Sequence, residues 1–112
     1  MNENIKKKIK DGNFMVIQSW MIKYLNLKGN DLLIYAIIYG FSQDNESKFT
    51  GSLQYLADWT NSTKQGVIKS LKNLLDKKLI FKKEEYKNNI KFVDFYIISF
   101  NIFTSRAESR LT

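Results

Sequence analysis

Residues 56–71 read LADWTNSTKQGVIKSL, and two patterns compete in them. Val67, Ile68 and Leu71, continued by Leu74 and Leu75, recur at helical spacing, so the run resembles a single amphipathic helix. Asn61, Ser62 and Thr63 interrupt it, and Gly66 falls where a first turn should be. Two helices joined by a tight turn satisfy both facts. Thr60-Asn61-Ser62 is then the break, because Asn tolerates the left-handed conformation such a turn requires. Thr63 is the N-cap of the second helix, which extends to about Leu79. Ser62 with Gln65 also matches a capping box, which would move the start back by one residue.

The pattern extends on both sides of the turn. Ser52 caps LQYLADW, whose Leu53, Leu56, Ala57 and Thr60 share a face. Lys48-Phe49-Thr50 is a short strand candidate closed by Gly51. Before it, Asn30 is an N-cap and Asp31 suits the positive end of DLLIYAIIYGFS. That helix is apolar on nearly every side, which predicts a central position. FMVIQ at 14–18 reads as a short strand, and Ser19 caps a short helix over WMIKYL. After the second helix, 80–86 and 91–100 read as strands, with Lys87-Asn88-Asn89-Ile90 as the turn. The order is helix, short strand, helix, tight turn, helix, hairpin. That is the order of a winged helix-turn-helix, a mainly α member of the α+β class. It has a three-helix core, a small antiparallel sheet with Phe49 as its third strand, and an extra N-terminal segment. Residues 13–103 form this domain, 1–12 a basic arm or short helix, and 104–112 a polar tail.

Composition narrows the functions. The chain has 112 residues and no cysteine, histidine or proline. Disulfides and thiolate metal sites are excluded, and the usual general base and zinc ligand are missing. The carboxylates are scattered without a spaced pair, and there is no phosphate-binding loop, so the expectation is a protein that is not an enzyme and holds no cofactor or metal. Leu32 to Tyr39 is the longest apolar run and is too short to span a bilayer. No secretory apolar region follows the basic N-terminus, so a cytoplasmic protein is expected.

The net charge of +7 is uneven. Residues 62–91 hold nine lysines against Asp76, Glu84 and Glu85, whereas 30–61 are net acidic and 92–112 neutral. A basic stretch on a second helix and hairpin is the footprint of a polyanion. It is also what a lysine-rich solvated surface looks like. With Val67 at 0° on a helical wheel, Leu71, Leu74, Leu75 and Ile68 form one arc. Gln65, Gly66, Lys69, Lys72, Asn73 and Asp76 lie opposite. In a helix-turn-helix the second helix enters the major groove of double-stranded DNA and reads bases from its N-terminal half. Lysine donates to guanine acceptors, and Gln or Asn pairs with adenine. Gln65, Lys69 and Asn73 are the base-reading candidates, with Lys72 beside them. Thr63 and Lys64 sit where phosphates pass. Gly66 has two readings: close approach of the two helices at the turn, which is preferred, or close approach of backbone to duplex. On the hairpin, Lys82, Lys83, Lys87, Lys91, Asn88 and Asn89 are candidates for wing contacts to phosphate or minor groove. Equally, lysines there protect a sheet edge from aggregation. The six tyrosines are assigned to core packing ahead of base stacking, and Trp20 and Trp59 to the core rim or an interface.

LKGNDLLIYAIIYGFSQ and FTGSLQYLADWTNSTKQGVIKSLKNLLDKKLI together resemble the N-terminal winged-helix domain of phage and mobile-element replication proteins of low-GC Gram-positive bacteria, the replisome organisers and DnaD-like initiators. The resemblance spans about residues 14–100. It implies recognition-helix positions for Thr63, Lys64, Gln65 and Lys69, and a wing at Lys87 to Lys91. It also implies sequence-specific duplex binding in replication initiation, with a helicase loader among the protein partners and a homodimer left open. Two residues depart from the pattern: Ser62 stands where such turns carry an apolar residue, and Asn61 where they carry glycine. A transcriptional regulator of the same fold, and a winged helix used for protein–protein contact, are the rival readings.

Overall fold

The computed structural model describes residues 14–43 and 48–98. The arm expected at 1–12 and the tail at 104–112 lie outside the described residues. Six elements follow one another: α1 (Ser19–Lys23), α2 (Gly29–Ser42), α3 (Leu53–Thr60), α4 (Lys64–Asp76), β1 (Ile80–Lys87) and β2 (Ile90–Ile97). They make a mainly helical α+β fold with the organisation of a winged helix-turn-helix.

Helix α2 is the centre of the core, as its all-round apolarity predicts. Five successive residues, Ile34 to Ile38, are buried. Around them close Met21 and Leu27, Leu56 and Ala57 of α3, Val67, Leu71 and Leu74 of α4, and Ile80 and Phe95 of the sheet. Trp20 stands edge-on to Tyr39, with ring centroids 5.2 Å apart. Its Nε1 donates to Gln18 at 2.8 Å, so this tryptophan belongs to the core rather than its rim. Trp59 is half-buried. Among the tyrosines, Tyr35 is buried and Tyr39, Tyr55 and Tyr96 are half-buried, but Tyr24 and Tyr86 are exposed.

The turn between α3 and α4 is a Schellman closure. Asn61 adopts φ 50°, ψ 47°. The Asn61 N–H donates to Asp58 and the Ser62 N–H to Ala57, which satisfies carbonyls that the ending helix would leave open. Asn therefore does the work of the glycine usual at this point. Ser62 is explained by its neighbour: its hydroxyl lies 2.6 Å from that of Thr60, which also bonds the Leu56 carbonyl. The caps of α3 and α4 are as the sequence suggests. Ser52 accepts from the Tyr55 N–H, and Thr63 rather than Ser62 accepts from the Gly66 N–H, each at 3.0 Å.

Several expectations are corrected. Residues 14–18 join no sheet among the described residues; Met15 packs onto the core while Phe14 is 80% exposed. The N-cap of α1 is Gln18, and Ser19 is already helical. Helix α2 starts at Gly29, with extended Lys28 as its cap, so Asn30 lies inside the helix. Helix α4 ends at Asp76 rather than near Leu79. A second Schellman closure stops it: Lys78 has φ 59°, and the Leu79 N–H donates to Leu74. This turns Leu79 inward, where its side chain is buried.

Strands β1 and β2 pair antiparallel from Ile80↔Ile97 to Lys87↔Ile90. Asn88 and Asn89, with φ 52° and 65°, form the two-residue turn whose twist suits a hairpin. The third strand is reduced to one bridge, Phe49↔Phe95, closed by two hydrogen bonds of 2.8 and 2.9 Å. The chain leaves the ladder at once, and the Phe49 ring folds back over Gly51. A Cβ at Gly51 would stand 2.5 Å from that ring. Beside the bridge, Lys48 pairs with the buried Asp94 at 3.1 Å.

Candidate nucleic-acid interface

Helix α4 packs against α2 and α3 through Val67, Ser70, Leu71 and Leu74. That leaves Lys64, Gln65, Lys69 and Lys72 on the solvent side, all exposed. Among the described residues, none of the three lysines has an ion-pair partner. The helix begins in the open, with Thr63 exposed and its cap bond holding the first turn. Three free cations, one amide and a positive helix end therefore occupy one face.

Two members of the wheel behave differently from expectation. Ile68, assigned to the core arc, is 51% exposed. It lies roughly 100° from Val67, at the margin of the arc, and Ser70 takes the buried place on the other margin. Asn73, assigned to the outward face, is half-buried, and its Nδ2 donates to Asp31 of α2 at 3.3 Å. It ties the second helix to the central one.

Gly66 is half-buried, and a Cβ there would meet only Thr63 Oγ1 at 3.4 Å and Ser62 Cβ at 3.9 Å. Those are ordinary contacts. The preferred explanation of this glycine, close approach of α3 and α4, is thus overturned: the two helices do not meet there.

The wing presents a different kind of basic surface. Lys82, Lys83, Lys87, Asn88, Asn89 and Lys91 are all exposed, but the four lysines have local partners. Glu84 lies 3.2 Å from Lys91 and 3.6 Å from Lys82. The hydrogen bond and charge of Lys91, helped by Lys82, hold the Glu84 carboxyl below its ordinary value. Lys87 is 3.9 Å from Glu85, and Lys83 stands over the Tyr96 ring at 5.3 Å.

A groove of about 880 Å³ runs between α4 and the wing. It brings Ile68 and Lys72 together with Lys82, Lys87 and Lys91. Lys48 also lines it, a residue that sequence reading did not select; its place became visible only when Phe49 was found bridged to β2. Lys64, Gln65 and Lys69 lie outside the groove, farther toward the start of α4. Among the described residues no cluster of metal-ligating side chains occurs. No helix there is long and apolar enough to cross a membrane.

Residues 25–80, half of the chain, match the helix-turn-helix domain family. That stretch runs from the end of α1 to the first residue of the wing. A comparison with curated protein sequences finds no match. Solved structures share the fold. One, described as a Rep–DNA complex, is 19% identical, with a TM-score of 0.54, over 100% of this chain and 95% of that one. A second, described as an MDR initiator, is 16% identical at a TM-score of 0.54, over 98% and 97% of the two chains. A third, a possible transcriptional regulator from Methanosarcina mazei Go1, is 16% identical at 0.54, over 88% and 92%.

Proposed function

The chain belongs to the helix-turn-helix domain family, and from that premise we propose that it is a sequence-specific double-stranded DNA-binding protein acting in replication initiation of a phage or mobile element. The observation that carries this reading is the exposed face of α4, where Lys64, Lys69 and Lys72 have no ion-pair partner among the described residues and Gln65 stands exposed beside them. Helix α4 enters the major groove. Lys69 and Gln65 meet base edges, while Lys64, Thr63 and the first-turn N–H groups meet phosphate. Gly66, with no steric need inside the protein, allows the backbone to approach the duplex. The wing lies along the flanking backbone and adds affinity without sequence choice. No bond is made or broken, and the protein works in the cytoplasm.

The likeness to a Rep–DNA complex and to an initiator supports the replication setting. The likeness to a possible transcriptional regulator supports a second reading, in which the same surface binds a promoter. A helicase loader is the protein partner expected in the first setting.

Titration of duplex DNA at a series of salt concentrations tests the binding. Log affinity should fall steeply with log salt, by about 0.9 per phosphate neutralised. A flat dependence, or no binding at low salt, would refute the reading and favour a protein-interaction module. Footprinting on the DNA of the chain's own genetic neighbourhood separates the two settings, since protection falls at an origin in one and at a promoter in the other.

A further inference from the structure

Ile68 is the unexplained residue of the α4 surface. A β-branched side chain on a helix has little rotamer freedom, so its methyl groups hold a fixed direction. Here that direction is outward, with half of the residue in solvent. A lone exposed isoleucine is unremarkable in itself. This one is distinguished by its neighbours. Lys64 precedes it and Lys72 follows it by one helical turn each, so the three form a stripe. Gln65 and Lys69 lie beside the stripe on its solvent side, with Leu71 and Leu75 on the other, and all four polar neighbours are exposed. Lys64 and Ile68 lie in the N-terminal half of the second helix, the half that faces base edges, and Lys72 just beyond it.

We infer that Ile68 reads the 5-methyl group of thymine in the major groove. This rests on the DNA-binding reading above and adds a specificity determinant to it. Thymine is the base that presents an apolar group in that groove, and apolar side chains recognise it by contact. Lys64 and Lys72 stand one turn before and after Ile68, and Lys69 lies beside it on the solvent side. Lys82, Lys87 and Lys91 rim the far wall of the groove it lines with Leu71 and Leu75, so the occupant is a nucleic-acid duplex whose phosphates meet that cationic rim. Lys69 and Gln65 discriminate by hydrogen bonds; Ile68 discriminates by desolvation of a methyl group. The two kinds of contact cover neighbouring base pairs on one helix face.

The test separates this inference from the reading beneath it. The full chain selects duplexes from a random pool of about 20 base pairs, a span that covers one major-groove site with flanking backbone. The enriched duplex is then remade with deoxyuridine replacing each thymine in turn, which deletes only the methyl group. One or two positions should bind the native protein about fourfold more weakly, the worth of one buried methyl. Ile68→Ala should bind the thymine and uracil forms equally, and Lys69→Ala should keep the native discrimination. Thermal unfolding of Ile68→Ala checks that the fold is intact, and Ile68→Val, which keeps methyl groups at the same branch point, should preserve most of the thymine preference. An enriched duplex with no uracil effect, or an unchanged effect in Ile68→Ala, overturns the role of Ile68 and leaves DNA binding standing. Failure to enrich any duplex overturns both.

Discussion

Helix α4 and the wing carry comparable numbers of lysines but hold them in opposite electrostatic states. On the helix, Lys64, Lys69 and Lys72 have no acidic neighbour within ion-pair distance among the described residues. On the wing, Glu84 and Glu85 engage Lys82, Lys87 and Lys91, and Tyr96 lies under Lys83. Net charge does not distinguish these regions well; the placement of carboxylates does. An unpaired lysine gives its full charge to a phosphate or base. A paired one must first leave its carboxylate, and that carboxylate then repels the same phosphate. On the proposed reading, the helix should bind strongly and the wing weakly, a division of affinity as well as of sequence choice.

The sharpest way to break this comparison is Lys69→Ala. It should cost about 1–3 kcal/mol on the preferred duplex and relax the choice of base at one position, measured by competition among single-base variants. Equal loss on every sequence would make Lys69 a phosphate contact and would empty the helix of its reading role.

Next in size is a matched pair, Lys72→Ala and Lys91→Ala. Both residues line the groove between helix and wing. The free Lys72 should take about 0.9 off the salt slope, the value of one phosphate contact, whereas Lys91, held 3.2 Å from Glu84, should take off less. Equal slopes would show that the wing's ion pairs dissolve on binding and that the comparison holds only in the free protein.

Glu84→Gln approaches the same point from the other side. Removing the carboxylate frees Lys82 and Lys91 together, so affinity for all duplexes should rise by a few fold and the salt slope should steepen. The pH dependence has a definite sign. Lys91 and Lys82 depress the folded-state pKa of Glu84, so its contribution to stability is present above the unfolded value and is lost as pH falls through the folded one. In the DNA-bound state Lys91 and Lys82 turn to phosphate, so the Glu84 carboxyl loses the partners that hold its pKa down and takes up a proton more readily there than in the free protein. The affinity advantage of Glu84→Gln should therefore fade as pH falls, starting above the free-protein pKa of Glu84. An advantage that stays constant through the carboxylate range would mean the pairing with Lys91 is not what controls the wing.

The same contrast separates what was legible in the sequence from what was not. Caps and turns depend on a few adjacent atoms, so Ser52, Thr63, Asn61 and the Asn88-Asn89 turn could be read directly. The central helix could be read from its apolarity. The limits of α4 could not, because a lysine at position 78 is a rare choice for a left-handed closure and carries no local signal. Nor could the state of each lysine. Glu84 reaches Lys91 only through the register of the hairpin, and Asp31 reaches Asn73 only through the packing of α2 on α4. Helical periodicity sorted Val67 and Leu71 correctly but misplaced Ile68, since a wheel gives angle and not the width of the neighbour it faces. Phe49 illustrates the remaining gap: the sequence places it in the sheet, but that it makes a single bridge, with its ring over Gly51, depends on packing the sequence does not show.

The smallest expected effect bears on the residue that both regions leave unexplained. Gly66 sits in the first turn of α4, where glycine costs up to about 1 kcal/mol relative to alanine. Its position offers room: the nearest atoms to an added Cβ are 3.4 and 3.9 Å away, and both belong to the turn itself. Its backbone N–H is committed to Thr63 Oγ1 and would remain so in alanine. Gly66→Ala should therefore raise the midpoint of thermal unfolding, by a few degrees for a stabilisation of that size in a chain of this length. If the duplex backbone or a base edge approaches this turn closely, the same variant should bind DNA more weakly while folding more firmly. The two readouts moving in opposite directions would assign the glycine to the partner. A stability gain with unchanged DNA affinity would leave the helix face of Lys64, Gln65 and Lys69 as the interface and move the duplex away from the turn. A loss of stability would show that the protein does need the glycine, and that α3 and α4 approach each other more tightly in solution than those contacts require.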